Sequence, residues 1–227
     1  MNKLIYCVER FIFHYRKTVV AFFTIMTLFL LFQASQLKMD AAFTKNIPLN
    51  HEYMQTYTKH AKDFGGANSI MVAVRAKNGD IFSPEFFDGL KKVHDQLYFI
   101  PGIDRTTVKS LYSPSTRFTE VVEDGFAGGP VIPADFVSDS TGLTIVKNNV
   151  EKAGVVGRLV ANDYSSAMVS ARLMEFNPNT GEKLDTLKIA AQLEDELRTQ
   201  LVNETMDIHI IGFSKMAGDI AQGAKGV

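Results

Sequence analysis

Residues 69–76 read SIMVAVRA, a short run whose side chains alternate. Ile70, Val72 and Val74 share one face, and Met71 and Ala73 share the other. Apolar residues on both faces predict a strand covered on both sides over much of its length. Downstream, Ser83-Pro84-Glu85 makes a helix start, with a hydroxyl cap, proline at the first position and an acid in the first turn. Phe86, Leu90, Val93 and Leu97 then form one stripe, which Pro101-Gly102 ends. Ile103–Leu111 returns as a strand, completing a strand–helix–strand unit.

A second unit of the same order follows. The pair Asn162-Asp163 marks a turn, and Ser165–Met174 (SSAMVSARLM) alternates as a strand. Residues 177–181, NPNTG, form a loop. Ile189, Leu193, Leu197 and Leu201 recur every fourth residue and predict a long helix, and Met206–Phe213 closes the unit as a strand. No residue-level repeat relates the two units. Between them, Thr116–Glu123 reads as a strand, Gly125–Pro130 (GFAGGP) as a flexible turn rich in breakers, and Pro133–Ala153 as one or two helices. Ahead of them, residues 39–50 form an irregular link, and His51–Phe64 reads as a helix ended by Gly65-Gly66. Strands alternating with helices predict α/β packing with helices on a sheet, and split β-α-β units of the ferredoxin-like kind are its natural small version.

The address of the chain lies further upstream. Thr18–Gln36 reads TVVAFFTIMTLFLLFQASQ without a charge. About 20 helical residues cross a hydrocarbon core ~30 Å thick, which this run with Leu37 just reaches. Lys3, Arg10, Arg16 and Lys17 precede it against one acid, Glu9. By the positive-inside rule the N-terminus is cytoplasmic and residues 38 onward lie outside. Leu4, Val8, Phe11, Ile12 and Tyr15 fall near helical spacing, as in a short interfacial helix. A cleaved signal peptide is the competing reading, but cleavage after Ala34 or Ser35 would put Phe32 or Gln33 at the −3 position, not a small residue. An uncleaved span is therefore expected. The expected divisions are 1–17 as a basic interfacial helix, 18–37 as the span, 38–213 as one extracytoplasmic domain, and 214–227 as a helix-like lead-in.

The 227 residues carry a net charge of −1, and the part beyond the span is mildly acidic, with no basic face for nucleic acid. Cys7, the single cysteine, precedes the span, so the long domain has no internal disulfide. Its alternative role is as a palmitoylation site at the membrane surface. His14, His51, His60, His94 and His209 are scattered without metal-ligand spacing. Gly154-Val155-Val156-Gly157 precedes Arg158 and not Lys-Ser/Thr, so it is no phosphate loop. No G-x-S-x-G elbow occurs. The acids Glu194-Asp195-Glu196 read as the solvated face of the last long helix. Asn203-Glu204-Thr205 matches a glycosylation acceptor, a pattern frequent by chance. No catalytic residue, metal ligand or cofactor is assigned, and no enzymatic activity is expected. Phe126 is the large apolar residue set within the glycine turn. The expected reading is an anchor tucked into the domain, and contact with substrate or a subunit is the alternative for which it is the candidate.

The order of the pieces carries more than any residue. Phe43-Thr44-Lys45-Asn46-Ile47-Pro48 is followed by a helix ending Phe64-Gly65-Gly66-Ala67-Asn68 and the strand IMVAVRA. Asp80-Ile81-Phe82-Ser83, the Phe/Leu helix, Ile100-Pro101-Gly102-Ile103 and Ser110-Leu111 come next. This order resembles the N-terminal part of exporters of the RND superfamily, in particular the MMPL-like and hopanoid-exporter-like branch, most sharply from Phe43 to Leu111. The resemblance implies an α+β (α-β) architecture, with one transmembrane helix leading into a ferredoxin-like porter domain on the periplasmic side of a bacterial inner membrane. It also implies proton-motive-force-driven efflux of hydrophobic or amphipathic, lipid-like substrates. Such exporters have two similar halves and about twelve spans, with proton-relay acids on later spans. On this resemblance the chain is expected to be a part of such a permease. Its partners would be the bilayer, the remaining spans and second half, the substrate, and other copies or a periplasmic protein. A signal-anchored extracytoplasmic binding or sensor module is the alternative reading. Its weakness is a cytoplasmic segment of only about 17 residues.

Overall fold

A computed structural model of the chain describes residues 12–36, 48, 50–64, 68–123, 125–174 and 184–225. They fall into two compact units, residues 1–40 and 41–227. Among the described residues, the first unit contains one long helix, α1 (Arg16–Ser35), 20 residues long and apolar enough to cross a membrane. None of its side chains is buried by other parts of the unit. Its hydroxyls are satisfied within the helix: Thr24 donates to the Val20 carbonyl at 2.9 Å and Thr27 to that of Phe23 at 2.8 Å. In hydrocarbon, that self-sufficiency removes the penalty of unpaired polar groups. The interfacial helix read over residues 4–15 lies largely outside the described residues, as do Cys7, Gly65-Gly66, the 177–181 loop and most of the 39–50 link.

The second unit begins with α2 (Glu52–Phe64) and is built on two β-α-β units. The first is β1 (Ser69–Ala76), α3 (Pro84–Phe99) and β2 (Ile103–Lys109). The second is β5 (Ser166–Leu173), α5 (Thr186–Leu193) with its π-helical continuation Glu194–Thr199, and β6 (Met206–Gly212). The four strands form one sheet in the order β2-β5-β1-β6, every neighbouring pair antiparallel. Each unit thus leaves a gap between its own strands, and a strand of the other fills it. A terminal helix, α6 (Phe213–Lys225), follows β6 directly.

Local chemistry sets the boundaries. Ser83 caps α3 by accepting from the Phe86 amide at 3.3 Å, with Pro84 at the first position. The helix ends in the turn Ile100-Pro101-Gly102-Ile103, closed by the Ile103 amide on the Ile100 carbonyl at 3.2 Å. Gly102 holds φ +93°, with Ile189 and Leu184 packed against it, a backbone that a side chain would strain. β2 stops at Lys109, two residues earlier than the periodicity predicts, because Ser110–Thr116 folds into a hydrogen-bonded turn. There Ser113 Oγ accepts from the Ser110 amide (2.9 Å) and donates to the Val108 carbonyl (3.0 Å), and Thr116 donates to the Ser110 carbonyl (2.7 Å).

The core lies on one face of the sheet. Ile70, Val72 and Val74 of β1 and Val169 of β5 are fully buried there. They lie in one cluster with Phe86, Phe87, Leu90, Val93 and Leu97 of α3 and with Ile189, Leu193 and Leu197 from the second unit. The expectation that β1 is covered on both sides is corrected. Met71 and Ala73 are half-buried and Arg75 is exposed, so among the described residues that face is only partly covered. Apolar alternates on a strand do not require a second layer when they are small or flexible and lie beside one another.

Two further expectations change, and the reading of one or two helices over 133–153 narrows to one. Gly125–Pro130 is not a turn but a strand, β4, paired antiparallel with β3 (Arg117–Val122). Glycine lowers strand propensity, but it permits close backbone approach. A Cβ at Gly128 would lie 2.5 Å from the Phe118 carbonyl oxygen, and the Phe118 ring covers Gly129. Residues 133–153 hold one helix, α4 (Ser140–Lys152), starting only where Asp139 caps it through the Gly142 amide at 2.7 Å. The preceding segment is tied instead by buried Asn149, whose Nδ2 donates to the Val131 carbonyl at 3.0 Å. The long helix from Ile189 keeps its buried stripe but widens to π geometry at Glu194.

Candidate functional site

The β3–β4 hairpin has one anchored face and one bare face. Phe118 and Glu120 point to α4, where Lys152 Nζ lies 2.6 Å from Glu120 Oε2 and 5.5 Å from the Phe118 ring centroid. On the opposite face Val121 and Phe126 are directly paired across the strands, and they are 81% and 80% exposed. Phe126 is therefore not an anchor tucked into the domain. It stands beside Val121 and the exposed acid Glu123 near the hairpin's turn. Two large apolar side chains held at this exposure on an anchored hairpin form a contact surface of the kind that partners or ligands cover.

A second exposed group lies where α3 hands over to β2. Arg105 holds its guanidinium over Tyr98 at 5.6 Å and Phe99 at 5.8 Å, and its Nε donates to the Tyr98 carbonyl at 3.1 Å. Phe99 is 68% exposed. β2 is an edge strand, and its ladder to β5 is interrupted between Asp104 and Lys109. Thr107 Oγ1 substitutes for a missing carbonyl by accepting from the Arg172 amide at 2.9 Å.

The half-open sheet face is the third surface. Lys109, Ser170, Met71 and Ile211 align across it in one row, and Met168, Ala73 and His209 in the next. A fourth grouping is the aromatic cluster Phe82, Phe87, Phe136 and Tyr164, with Lys147 over the Phe82 and Tyr164 rings at 5.3 and 5.7 Å.

The polar residues singled out in the sequence do not gather. Among the described residues, no group of three or more His, Cys, Asp or Glu side chains is placed to hold a metal ion. His51 Nδ1 accepts from the Tyr53 amide at 3.2 Å, and His209 is exposed on β6. Asn203 turns its side chain inward on its own loop, accepting from the Thr205 amide and hydroxyl and the Met206 amide. Of the acidic run, Glu194 departs from the solvated reading: its carboxylate meets Arg198 at 3.0 Å and Lys215 at 2.9 Å.

His94 is the residue whose environment the sequence did not reveal. Its Nδ1 lies 2.9 Å from Ser110 Oγ, and that oxygen already accepts from the Tyr112 amide at 3.0 Å. The hydroxyl oxygen has a second lone pair, so it can donate to Nδ1 or accept from it, and either way the contact ties α3 to the turn. Ser110 is fully buried, so the pair is a structural latch between α3 and the turn, not a nucleophile and base. Burial lowers the His94 pKa below 6.5. The nearby Asp95 opposes that shift, and Lys91 adds to it. A depressed imidazole pKa stabilises the fold above the unfolded value near 6.5, and this contribution is lost as pH falls through the folded value. Urea midpoints are therefore expected to drop more between pH 7.5 and pH 5.5 in the native protein than in His94→Asn, which keeps an acceptor but cannot titrate. Equal drops would show that the latch is not coupled to folding. Beside it, Tyr112 donates to the Phe87 carbonyl at 3.0 Å, and burial pushes its phenol well above the ordinary range.

The fold and these surfaces define a mixed helix–sheet protein with antiparallel sheets and one N-terminal helix able to span a membrane. The sequence matches no protein-family model, and no curated protein matches it.

Proposed function

We propose that the chain forms the first span and the periplasmic porter domain of a proton-motive-force-driven exporter of the RND superfamily. On this reading it belongs to the MMPL-like or hopanoid-exporter-like branch and moves hydrophobic or amphipathic, lipid-like substrates out of a bacterial inner membrane. The observation that carries the reading is the sheet order β2-β5-β1-β6, all antiparallel, behind an apolar helix that carries no charge from Thr18 onward. On this reading the two split β-α-β units stand as the ferredoxin-like arrangement expected of a porter domain, and their order supports it. The turn at Ile100-Pro101-Gly102, which joins α3 to β2 through a positive-φ glycine, is compatible with the motif order on which the reading rests. The absence of charge from Thr18 to Gln36 assigns this span to scaffolding, because ion paths through a bilayer are lined by ionisable groups. In this topology residues 1–17 are cytoplasmic and 38 onward periplasmic.

An exporter of this class needs further spans. The coding sequence beyond Val227 is therefore expected to encode several more apolar segments, with carboxylates inside one of them. Cells expressing the complete protein are expected to accumulate less of an amphipathic dye, and a protonophore is expected to abolish the difference. A stop codon directly after Val227, or dye levels unaffected by the protein, overturns the reading in favour of an anchored binding module.

A further inference from the structure

The half-open face of the sheet has one small residue at its centre. Ala73 lies on β1, directly opposite Met168 of β5 on one side and His209 of β6 on the other. Met71 stands two residues earlier on β1, and therefore on the same face. Backbone phasing sets the spacing. The Ala76 amide bonds the Ser165 carbonyl and the Lys77 amide the Thr205 carbonyl, both at 2.9 Å, so even residues of β1 bond to β5 and odd ones to β6. Ala73–Met168 is therefore a non-hydrogen-bonded pair, with Cα atoms about 4.5 Å apart, and Ala73–His209 a hydrogen-bonded pair at about 5.5 Å. Met71 is the diagonal neighbour of both Met168 and His209, at the ~7–8 Å that long side chains span. Over the alanine methyl this leaves a basin, with two thioethers and an imidazole around it. Met71 and Met168 are half-buried, and the exposed His209 ring has no hydrogen-bond partner among the described residues.

We propose that Met71, Met168 and His209 bind a soft monovalent cation of the Cu(I) or Ag(I) class on this face. Thioether sulfur and imidazole nitrogen are the donors that such ions select. Hard ions such as Mg(II) and Ca(II) require oxygen ligands, and among the described residues no carboxylate stands in the two rows that hold these side chains. The nearest acid on the face, Asp207, lies one row further along and is engaged by Lys77 at 3.1 Å. Charge points the same way. Arg75 follows Ala73 on this face, and Lys109 shares the Met71 row, so the surroundings oppose a divalent ion about twice as strongly as a monovalent one. The three donors come from three adjacent strands, so only the folded sheet assembles them, and binding is coupled to folding. The proposal does not depend on the exporter reading, because it uses only side chains of the 41–227 unit.

The test uses the full chain in detergent micelles with Cys7→Ser, which removes the single thiol that would compete for a soft ion. Silver nitrate is titrated by calorimetry, and the carbon-13 methyl signals of the methionines are followed by NMR. One Ag(I) per chain is expected, moving the Met71 and Met168 signals and leaving that of exposed Met216 in place. Changes to the outer partners of a metal site alone cost about 10–100-fold in affinity, so removing a donor by Met71→Leu, Met168→Leu or His209→Gln is expected to cost about 100-fold or more. Ag(I) is expected to raise the melting temperature of the parent and not of these variants. Methionine to leucine conserves volume, so their melting temperatures without metal are expected to stay close to the parent's. Where a variant melts early, the methyl signals of the parent still read the site. Absence of Ag(I) binding overturns the proposal. So does binding that leaves the Met71 and Met168 signals unmoved and that none of the three variants weakens, which places the ion elsewhere. Displacement of Ag(I) by an equal concentration of Zn(II) also overturns it, because it marks a site without thioether ligands.

Discussion

Phe87→Ala is expected to lower the melting temperature of the protein by about 10 °C. Phe87 is fully buried, and four aromatic rings surround it: Phe136 at 5.6 Å, Phe82 and Phe86 each at 6.2 Å, and Tyr112 at 6.4 Å. Deleting a buried phenyl ring removes its transfer free energy and leaves a cavity, together about 3–5 kcal/mol. In a domain of this size each kcal/mol shifts the midpoint by about 2–4 °C. Rigid neighbours cannot close the space easily, because Tyr112 is tethered by its hydroxyl to the Phe87 carbonyl. Phe126→Ala is the control, being the same chemical change at an 80% exposed site. It is expected to alter stability by no more than about 0.5 kcal/mol. Thermal unfolding followed by circular dichroism separates the two. Equal midpoints for both variants would mean that the aromatic cluster does not form the core described.

The same two phenylalanines mark the limit of what the sequence makes legible. Phe87 sits next to the Phe86-Leu90-Val93-Leu97 stripe, and helical periodicity is enough to place α3 and its buried face. β1, β5 and β6 announce themselves by alternation, and the turn at Pro101-Gly102 by its breakers. The hairpin was not legible. GFAGGP has the composition of a loop, and nothing local to it says that Arg117–Val122 will pair with it; only the close approach at Gly128 makes glycine the residue that fits a strand there. The exposure of Phe126 follows from that pairing, so the sequence could single out the residue but pointed to an anchor where the structure has an exposed side chain. The half-open sheet face was missed for a related reason. Strand alternation shows which residues share a face but not whether a second layer covers it. His94 and Ser110 lie sixteen residues apart on different elements, and no sequence spacing encodes their meeting.

Lys215 carries the second large effect. Its side chain is only 7% exposed, and it reaches both Glu194, on the π-helical segment, and Asp219, one turn further along α6. The helices are close here, since a Cβ at Gly218 would lie 2.5 Å from that of Ala190 on α5. Burial lowers the Lys215 pKa, but hydrogen bonds to Asp219 and Glu194 and the charges of both outweigh it, so the ammonium is held above its ordinary range. Burial raises Glu194, and hydrogen bonds from Lys215 and Arg198 outweigh it, so the carboxyl sits below its ordinary range. The carboxylate contribution is present above the unfolded value near 4.5 and lost as pH falls through the folded value. The ammonium contribution is present below about 10.5 and lost as pH rises through the folded value. Lys215→Met fills similar volume and leaves Glu194 paired with Arg198 and Asp219 58% exposed to water. It is expected to cost about 1–3 kcal/mol, because Glu194 Oε2 is buried and loses its partner, and to flatten both ends of the pH profile. Lys215→Glu instead buries a carboxylate against two others, and breaking a buried pair with an uncompensated charge costs about 3–5 kcal/mol. The expected readout is loss of amide-exchange protection across Phe213–Lys225, with β1 and β5 still protected. Equal protection of α6 in Lys215→Glu and the native protein would mean that packing at Gly218 alone holds the helix.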